Sequence, residues 1–243
     1  MTQKIKGLLL SGGYGSRLRP LTEKVPKCLV HVGGQPVLER WLTALENIDC
    51  MQAIVNTHYL AEQVNDYLKL RGNSIFPISQ EYERHLLGTA GTLRKHLVSL
   101  RGYTVVMAHT DNATDLNLQE LIQAHNNRPV GCLMTMLTFT TDKPQHCGII
   151  EKDEKGVIQA FHEKIANPPG NEANGAVYVF GNDFLDEFSK LSSDMGDFST
   201  DILPTMVGRA YAWHTSMPFI DIGTPESLAR AREIWPEPRR CNS

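Results

Sequence analysis

The chain has 243 residues, 41% hydrophobic and 21% charged, with 19 Gly and 13 Pro, a composition that excludes disordered and collagen-like chains. A chain of this size buries roughly 70% of its unfolded surface on folding, enough for a full core in a single domain spanning residues 1–243. Its 24 basic and 27 acidic residues leave a net charge of −3, and no Lys/Arg stripe forms that would track a nucleic acid or an anionic membrane, so neither is an expected partner.

In chain order, apolar runs bounded by turn residues alternate with 3.6-period stretches, the pattern of a βαβ sheet covered by helices on both faces. Residues 5–10 read as a strand buried on both faces, running into Ser11-Gly12-Gly13-Tyr14-Gly15. Pro36 opens a helix that puts Val37, Leu38, Trp41, Leu42 and Leu45 on one stripe. A strand at 52–57, a helix at 61–70, a strand at 74–79, a helix at 89–100 and a strand at 103–108 continue the alternation. The last of these ends at His109-Thr110-Asp111-Asn112, on the carboxyl edge where such sheets bind ligands. After a helix at 118–126 the pattern becomes β-rich, with strands at 130–139, 148–152, 157–163 and 176–180 and a hairpin turn at Asp153-Glu154-Lys155-Gly156. Helices at 183–191, 200–207 and 226–235 precede a tail at 236–243. Cys28, Cys50, Cys132, Cys147 and Cys241 form no CxxC pair and read as reduced thiols of a cytoplasmic protein. The first apolar run, residues 7–10, is far too short for a signal sequence or a membrane span.

Gly12, Gly13 and Gly15 directly after a buried strand suit a loop whose backbone amides approach a phosphate closely. The spacing is not that of a Walker loop, and Leu18 stands where a dinucleotide fingerprint needs its third glycine. The second strand also ends in Asn56-Thr57-His58, without the acid that holds a nicotinamide ribose, which disfavours an oxidoreductase. Positive charge is dense beside the glycines: Arg17, Arg19 and Lys27 share the loop with Pro20 and Pro26, which keep it from becoming helix.

The stretch Gly12-Gly13-Tyr14-Gly15-Ser16-Arg17-Leu18-Arg19-Pro20-Leu21-Thr22, followed by Pro26-Lys27, resembles the signature of the sugar-1-phosphate nucleotidyltransferases. The resemblance continues, in the family's order, through Glu81, Gly88-Thr89-Ala90-Gly91, Asp111, Phe161-His162-Glu163-Lys164, Asn174-Gly175-Ala176-Val177-Tyr178 and Asp221-Ile222-Gly223-Thr224-Pro225. It implies a three-layer αβα, Rossmann-like core on a mixed, mostly parallel sheet. It also implies transfer of a nucleoside monophosphate from a nucleoside triphosphate to a sugar 1-phosphate, with release of pyrophosphate. Residues 1–128 would form mainly the nucleotide half and 129–235 mainly the sugar-phosphate half. No hexapeptide repeat is visible, so a core-only member is expected. Cys28 replaces a usual proline, Thr110 a common glycine before the metal aspartate, and Ile165 a frequent proline.

Phosphoryl chemistry of this kind needs positioning and charge neutralisation above all. The resemblance makes Arg17 a planar fork for the triphosphate and Lys27 a mobile charge for the α-phosphate, with Asp111 completing the catalytic set. By itself a strand-end aspartate reads equally as a helix cap; the resemblance makes Asp111 and Asp221 ligands of Mg²⁺, a hard cation that needs only one or two carboxylates beside phosphate oxygens. A zinc site at His109, His146 and Cys147 lacks ligand-type spacing. The nucleotide is expected on Ser11, Gly12, Gly13, Gly15, Ser16, Gln80, Glu81, Gly88, Thr89 and Ala90, and the sugar phosphate on Asn112, Gly148, Glu163, Lys164, Asn174 and Gly175. The small residue before two glycines, with Gly-Thr-Ala-Gly, is closer to guanylyl- than to uridylyltransferases, which points to GTP and a manno-configured hexose or heptose phosphate. Another base or sugar, and a catalytically silent nucleotide-sugar-binding regulator, are the competing readings. A homodimer is the expected assembly.

Overall fold

The structure, a computed structural model, describes residues 4–71 and 76–238. Strand β1 (Ile5–Leu10) is buried along its length, its Leu8 and Leu9 pointing to opposite faces of the sheet. Three 3-10 turns carry the basic loop to a small hairpin of β2 (His31–Val32) and β3 (Gln35–Pro36). Helix α1 (Val37–Glu46) buries the expected stripe of Val37, Leu38, Trp41, Leu42 and Leu45. The first half of the chain continues as β4 (Gln52–Thr57), α2 (Ala61–Leu70), β5 (Ile78–Tyr82), α3 (Gly88–Leu100), β6 (Thr104–His109), β7 (Asn112–Thr114) and α4 (Leu118–Asn126). Then follow β8 (Met134–Thr140), β9 (Gly148–Lys152), β10 (Ile158–Glu163), β11 (Glu172–Phe180), α5 (Asn182–Lys190), β12 (Ala210–His214), β13 (Phe219–Asp221) and α6 (Pro225–Ile234).

One nine-stranded sheet runs β10-β9-β11-β6-β1-β4-β5, with β8 beside β11 and β12 beside β8. Strands β6, β1, β4 and β5 are parallel, whereas β11 runs antiparallel to β6. Helices α1, α2, α4 and α6 contribute to the core on one face; α3, α5 and the segment 198–206 contribute to the core on the other. The α/β class and the mixed sheet of the sequence reading are therefore what forms, with carboxyl strand ends gathered along one edge. No helix among the described residues is long and apolar enough to cross a membrane.

Several boundaries differ from expectation. The strand expected at 130–139 begins only at Met134: Val130 is fully exposed, and Gly131 takes a φ of 94°, which turns the chain. The strand expected at 74–79 is β5 at Ile78–Tyr82, with part of the expected span outside the described residues. The helix expected at 200–207 is a π turn at Phe198–Ile202 followed by a 3-10 turn at Leu203–Met206; Pro204 lies in it, a residue that cannot donate a helical N–H. The strand expected at 176–180 is the second half of β11, interrupted by a register shift between Asn174 and Tyr178. Strands β7, β12 and β13 are additions that only long-range pairing creates.

Candidate active site

The site is assembled where β1, β6 and the small β7–β13 sheet end. Past β1 the chain enters the glycine loop; Gly15 adopts a left-handed φ of 62° that starts the first 3-10 turn. A side chain there would meet Thr22, whose hydroxyl instead donates to the Gly15 carbonyl at 2.7 Å. This turn leads to Lys27. Asp111 lies two residues beyond the end of β6, and the antiparallel pairing of Asp221 with Asn112 brings the second carboxylate alongside. The Ile222 N–H donates to the Asp111 carbonyl at 2.9 Å and locks that register.

Lys27 Nζ donates to Asp111 Oδ2 at 2.6 Å and to Asp221 Oδ1 at 3.0 Å. The lysine side chain is only 11% exposed, while that of Asp221 is 48% exposed. Burial disfavours the ammonium, but the two carboxylates outweigh it and hold the Lys27 pKa above its ordinary value. Burial likewise disfavours ionised Asp111, yet Lys27 and His109 leave its pKa below the usual carboxylate range. Arg17 stands farther out, its guanidinium 3.7 Å from Asp221 Oδ2. Among the described residues no group of three or more His, Cys, Asp and Glu gathers as a metal cage. The Asp111–Asp221 pair, two hard oxygen donors converging on one cation position, fits a hard divalent ion that completes its shell from phosphate oxygens and water.

The other expected residues have more varied surroundings. Ser11 directs its N–H to Asn56 Oδ1 at 2.7 Å, and its hydroxyl lies 2.9 Å from that of Thr110, so both polar groups are engaged inside the protein. Gly12 is buried, whereas Gly13 and Ser16 are exposed at the loop surface. Gln80 donates its amide to Thr57 Oγ1 and the Ala61 carbonyl, and Glu81 pairs with Lys95 at 3.5 Å. Gly88 takes a φ of 77° with the Gly196 carbonyl packed where a Cβ would be. Ala90 donates its N–H to that carbonyl at 2.9 Å, and the Thr89 hydroxyl accepts from the Phe198 N–H at 2.6 Å. The start of α3 is thus shaped by a turn from the distant half of the chain.

In the second half, Glu163 pairs with Lys164 at 2.8 Å, and Lys164 holds a strained left-handed φ of 48°. A side chain at Gly148 would collide with Phe161 and Glu163. Asn112 is buried, its amide nitrogen donating to the Gly175 carbonyl at 3.2 Å and to the His109 carbonyl at 3.5 Å, so both of its donors are engaged within the protein. Asn174 donates to the Tyr178 hydroxyl and accepts from the Ala176 N–H, so its amide shapes the β11 bulge. Gly175 is packed against Leu137, a packing reason for the glycine.

Two residues escaped the sequence reading. Glu83, 2% exposed, accepts from the Thr92 hydroxyl at 2.6 Å and the Leu87 N–H at 3.2 Å, tying the end of β5 to the start of α3. Asn56 bridges Ser11 and Thr92. An acid five residues before Gly88 and an amide next to the last residue of β4 were the available signals.

The chain that carries this glycine-loop α/β sheet, with its lysine set between two carboxylates, belongs to the nucleotidyl transferase family, whose model matches residues 6–236. It is similar to mannose-1-phosphate guanylyltransferase catalytic subunit beta of Drosophila pseudoobscura pseudoobscura, 30% identical over 228 residues, covering 92% of this chain and 60% of that protein. It is also similar to a mannose-1-phosphate guanyltransferase of Pichia angusta, 28% identical over 235 residues and covering 92% and 62%. The chain thus spans about three-fifths of the length of these curated relatives. Among solved structures, HddC from Yersinia pseudotuberculosis complexed with GMP-PN superimposes with a TM-score of 0.77 at 23% identity, covering 95% of this chain and 99% of that one. A Bacillus anthracis protein, provisionally described as a glucose-1-phosphate thymidylyltransferase and solved with sucrose, gives 0.83 at 22% identity, covering 95% of each chain.

Proposed function

We propose that this chain transfers a nucleoside monophosphate from a nucleoside triphosphate to a sugar 1-phosphate, with GTP as donor and a manno-configured hexose or heptose 1-phosphate as acceptor. The observation that carries the reading is the Lys27 ammonium within 3.0 Å of both Asp111 and Asp221 at the mouth of the glycine loop. Family membership and the guanylyltransferase names of the relatives support the donor and the sugar. Mg²⁺ held by Asp111 and Asp221 would supply neutralisation of the phosphate oxygens and a template for their alignment. In the free chain Lys27 satisfies the carboxylates; when a triphosphate enters, the flexible ammonium follows the charge that builds at the α-phosphate. Arg17, exposed above the same site, receives the departing pyrophosphate with its planar fork. Lys164 holds the phosphate of the acceptor, and Glu163 orients the sugar through its hydroxyls.

A matrix of four nucleoside triphosphates against a panel of sugar 1-phosphates, read by pyrophosphate release with and without MgCl₂, tests this. Release with GTP and a manno-configured phosphate, dependent on Mg²⁺, is the expected result. No release from any pair overturns the transfer reading, and release confined to another base overturns the guanylyl assignment alone.

A further inference from the structure

Three side chains that stand next to functional residues meet at one buried point. Ser11 precedes Gly12, Cys28 follows Lys27, and Thr110 precedes Asp111; all three are buried. Thr110 Oγ1 donates to the Leu10 carbonyl at 3.1 Å. Each hydroxyl carries one proton, so Ser11 is the donor in the 2.9 Å contact between the two. The Cys28 thiol lies against the same Ser11 side chain. Backbone ties converge here as well: the β1–β6 ladder has its last paired residues at Leu10 and His109, and the Thr110 N–H extends it to the Leu10 carbonyl at 3.2 Å. Ser11 turns its own N–H the other way, to Asn56 on β4. The hydroxyl pair is therefore the final link between β1 and β6 before one chain becomes the glycine loop and the other becomes Asp111.

We propose that Ser11, Cys28 and Thr110 form one positioning node that sets the spacing of the glycine loop, Lys27 and Asp111, with Thr110 as its deciding member. The inference rests on the transfer reading above. The three residues act through their chain neighbours. Loss of the Thr110 hydroxyl leaves the buried Ser11 proton without that acceptor, and loss of the Ser11 hydroxyl leaves Thr110 bonded to the Leu10 carbonyl alone; either change cuts the side-chain tie that holds the two strand ends together. A shift of about 1 Å between reacting groups costs on the order of a hundredfold in rate.

The test compares Thr110→Val, which keeps the shape and removes the hydroxyl, with Thr110→Ser, Ser11→Ala and the Ser11→Ala/Thr110→Val double variant. With GTP and mannose 1-phosphate, kcat is expected to fall by at least about tenfold in each of Thr110→Val and Ser11→Ala, and no further in the double variant. Thr110→Ser is expected within about threefold of the unmodified chain, and KM for the sugar phosphate is expected unchanged throughout. Losses that multiply in the double variant, or a Thr110→Val enzyme as fast as the unmodified one, overturn the node. If the unmodified chain is inert with every substrate pair, the transfer reading fails instead, and the crystal structure of Thr110→Val decides on the node. A retained 2.6 Å contact between Lys27 and Asp111 then overturns it, and a widened one supports it.

Discussion

Replacing Lys27 with methionine removes the one positive charge that lies between Asp111 and Asp221 while keeping most of the side-chain volume. At 2.6 Å from Asp111, the gross attraction at an effective dielectric of 20 is about 6 kcal/mol, and the half-exposed Asp221 adds a smaller, screened share. Desolvation of the ammonium offsets much of this, so the net loss of stability is on the order of 2–4 kcal/mol. For a chain of this length that corresponds to a fall in Tm of about 5–15 °C. Turnover should fall on the order of a thousandfold, since charge stabilisation at the α-phosphate is lost. The variant also leaves two carboxylates facing each other with nothing between them, so millimolar MgCl₂ should raise its Tm more than that of the unmodified protein, where Lys27 must first be displaced. Thermal melts of both proteins across a MgCl₂ titration read this without any turnover. A Lys27→Met protein that is as stable as its parent, or that gains no more from Mg²⁺, would show that Lys27 does not neutralise this carboxylate pair.

The two proposed phosphate contacts should fail differently. Lys164→Ala should raise KM for the sugar phosphate, corresponding to about 1–3 kcal/mol for a charge-assisted contact, with triphosphate affinity unchanged, whereas Arg17→Ala should weaken triphosphate binding; calorimetric titration of each ligand separates them. Gly88→Ala forces a left-handed backbone and a Cβ onto the Gly196 carbonyl. A loss of about 2–4 kcal/mol in chemical denaturation is expected, together with weaker nucleotide binding. His125 is buried against Thr135, and burial, reinforced by Arg128, lowers its pKa to about 3. The unfolded chain takes up this proton below about pH 6.5 and the native state refuses it until about pH 3, so stability falls with decreasing pH by up to about 1.4 kcal/mol per pH unit. In His125→Asn the acid side of a Tm-against-pH profile should be correspondingly flatter.

Local patterns carried much of the fold. The aliphatic run of β1, the α1 stripe and the alternation through β6 are written in residue periodicity, because strands buried on both faces and one-sided helices each have their own apolar spacing. The glycines followed by Arg17 and Lys27 are legible for a similar reason: a loop that approaches phosphate needs small residues and positive charge within a few positions. Asp111 could be placed at a strand end because the strand before it is unambiguous.

Residue order alone therefore dictates the layered α/β architecture and the chemical kinds of side chain at the edge of its sheet. Tertiary structure alone decided how they meet. Strands β7 and β13 are three residues each, too short to declare themselves by period, yet their pairing is what sets Asp221 beside Asp111 and lets Lys27 reach both. The same holds for Asn112, Asn174 and Ser11, polar residues whose types suit a ligand but whose atoms are engaged within the protein. A buried polar group must find a partner somewhere, and whether that partner is a ligand or the chain's own backbone depends on contacts made across tens to hundreds of residues, which no local spacing encodes.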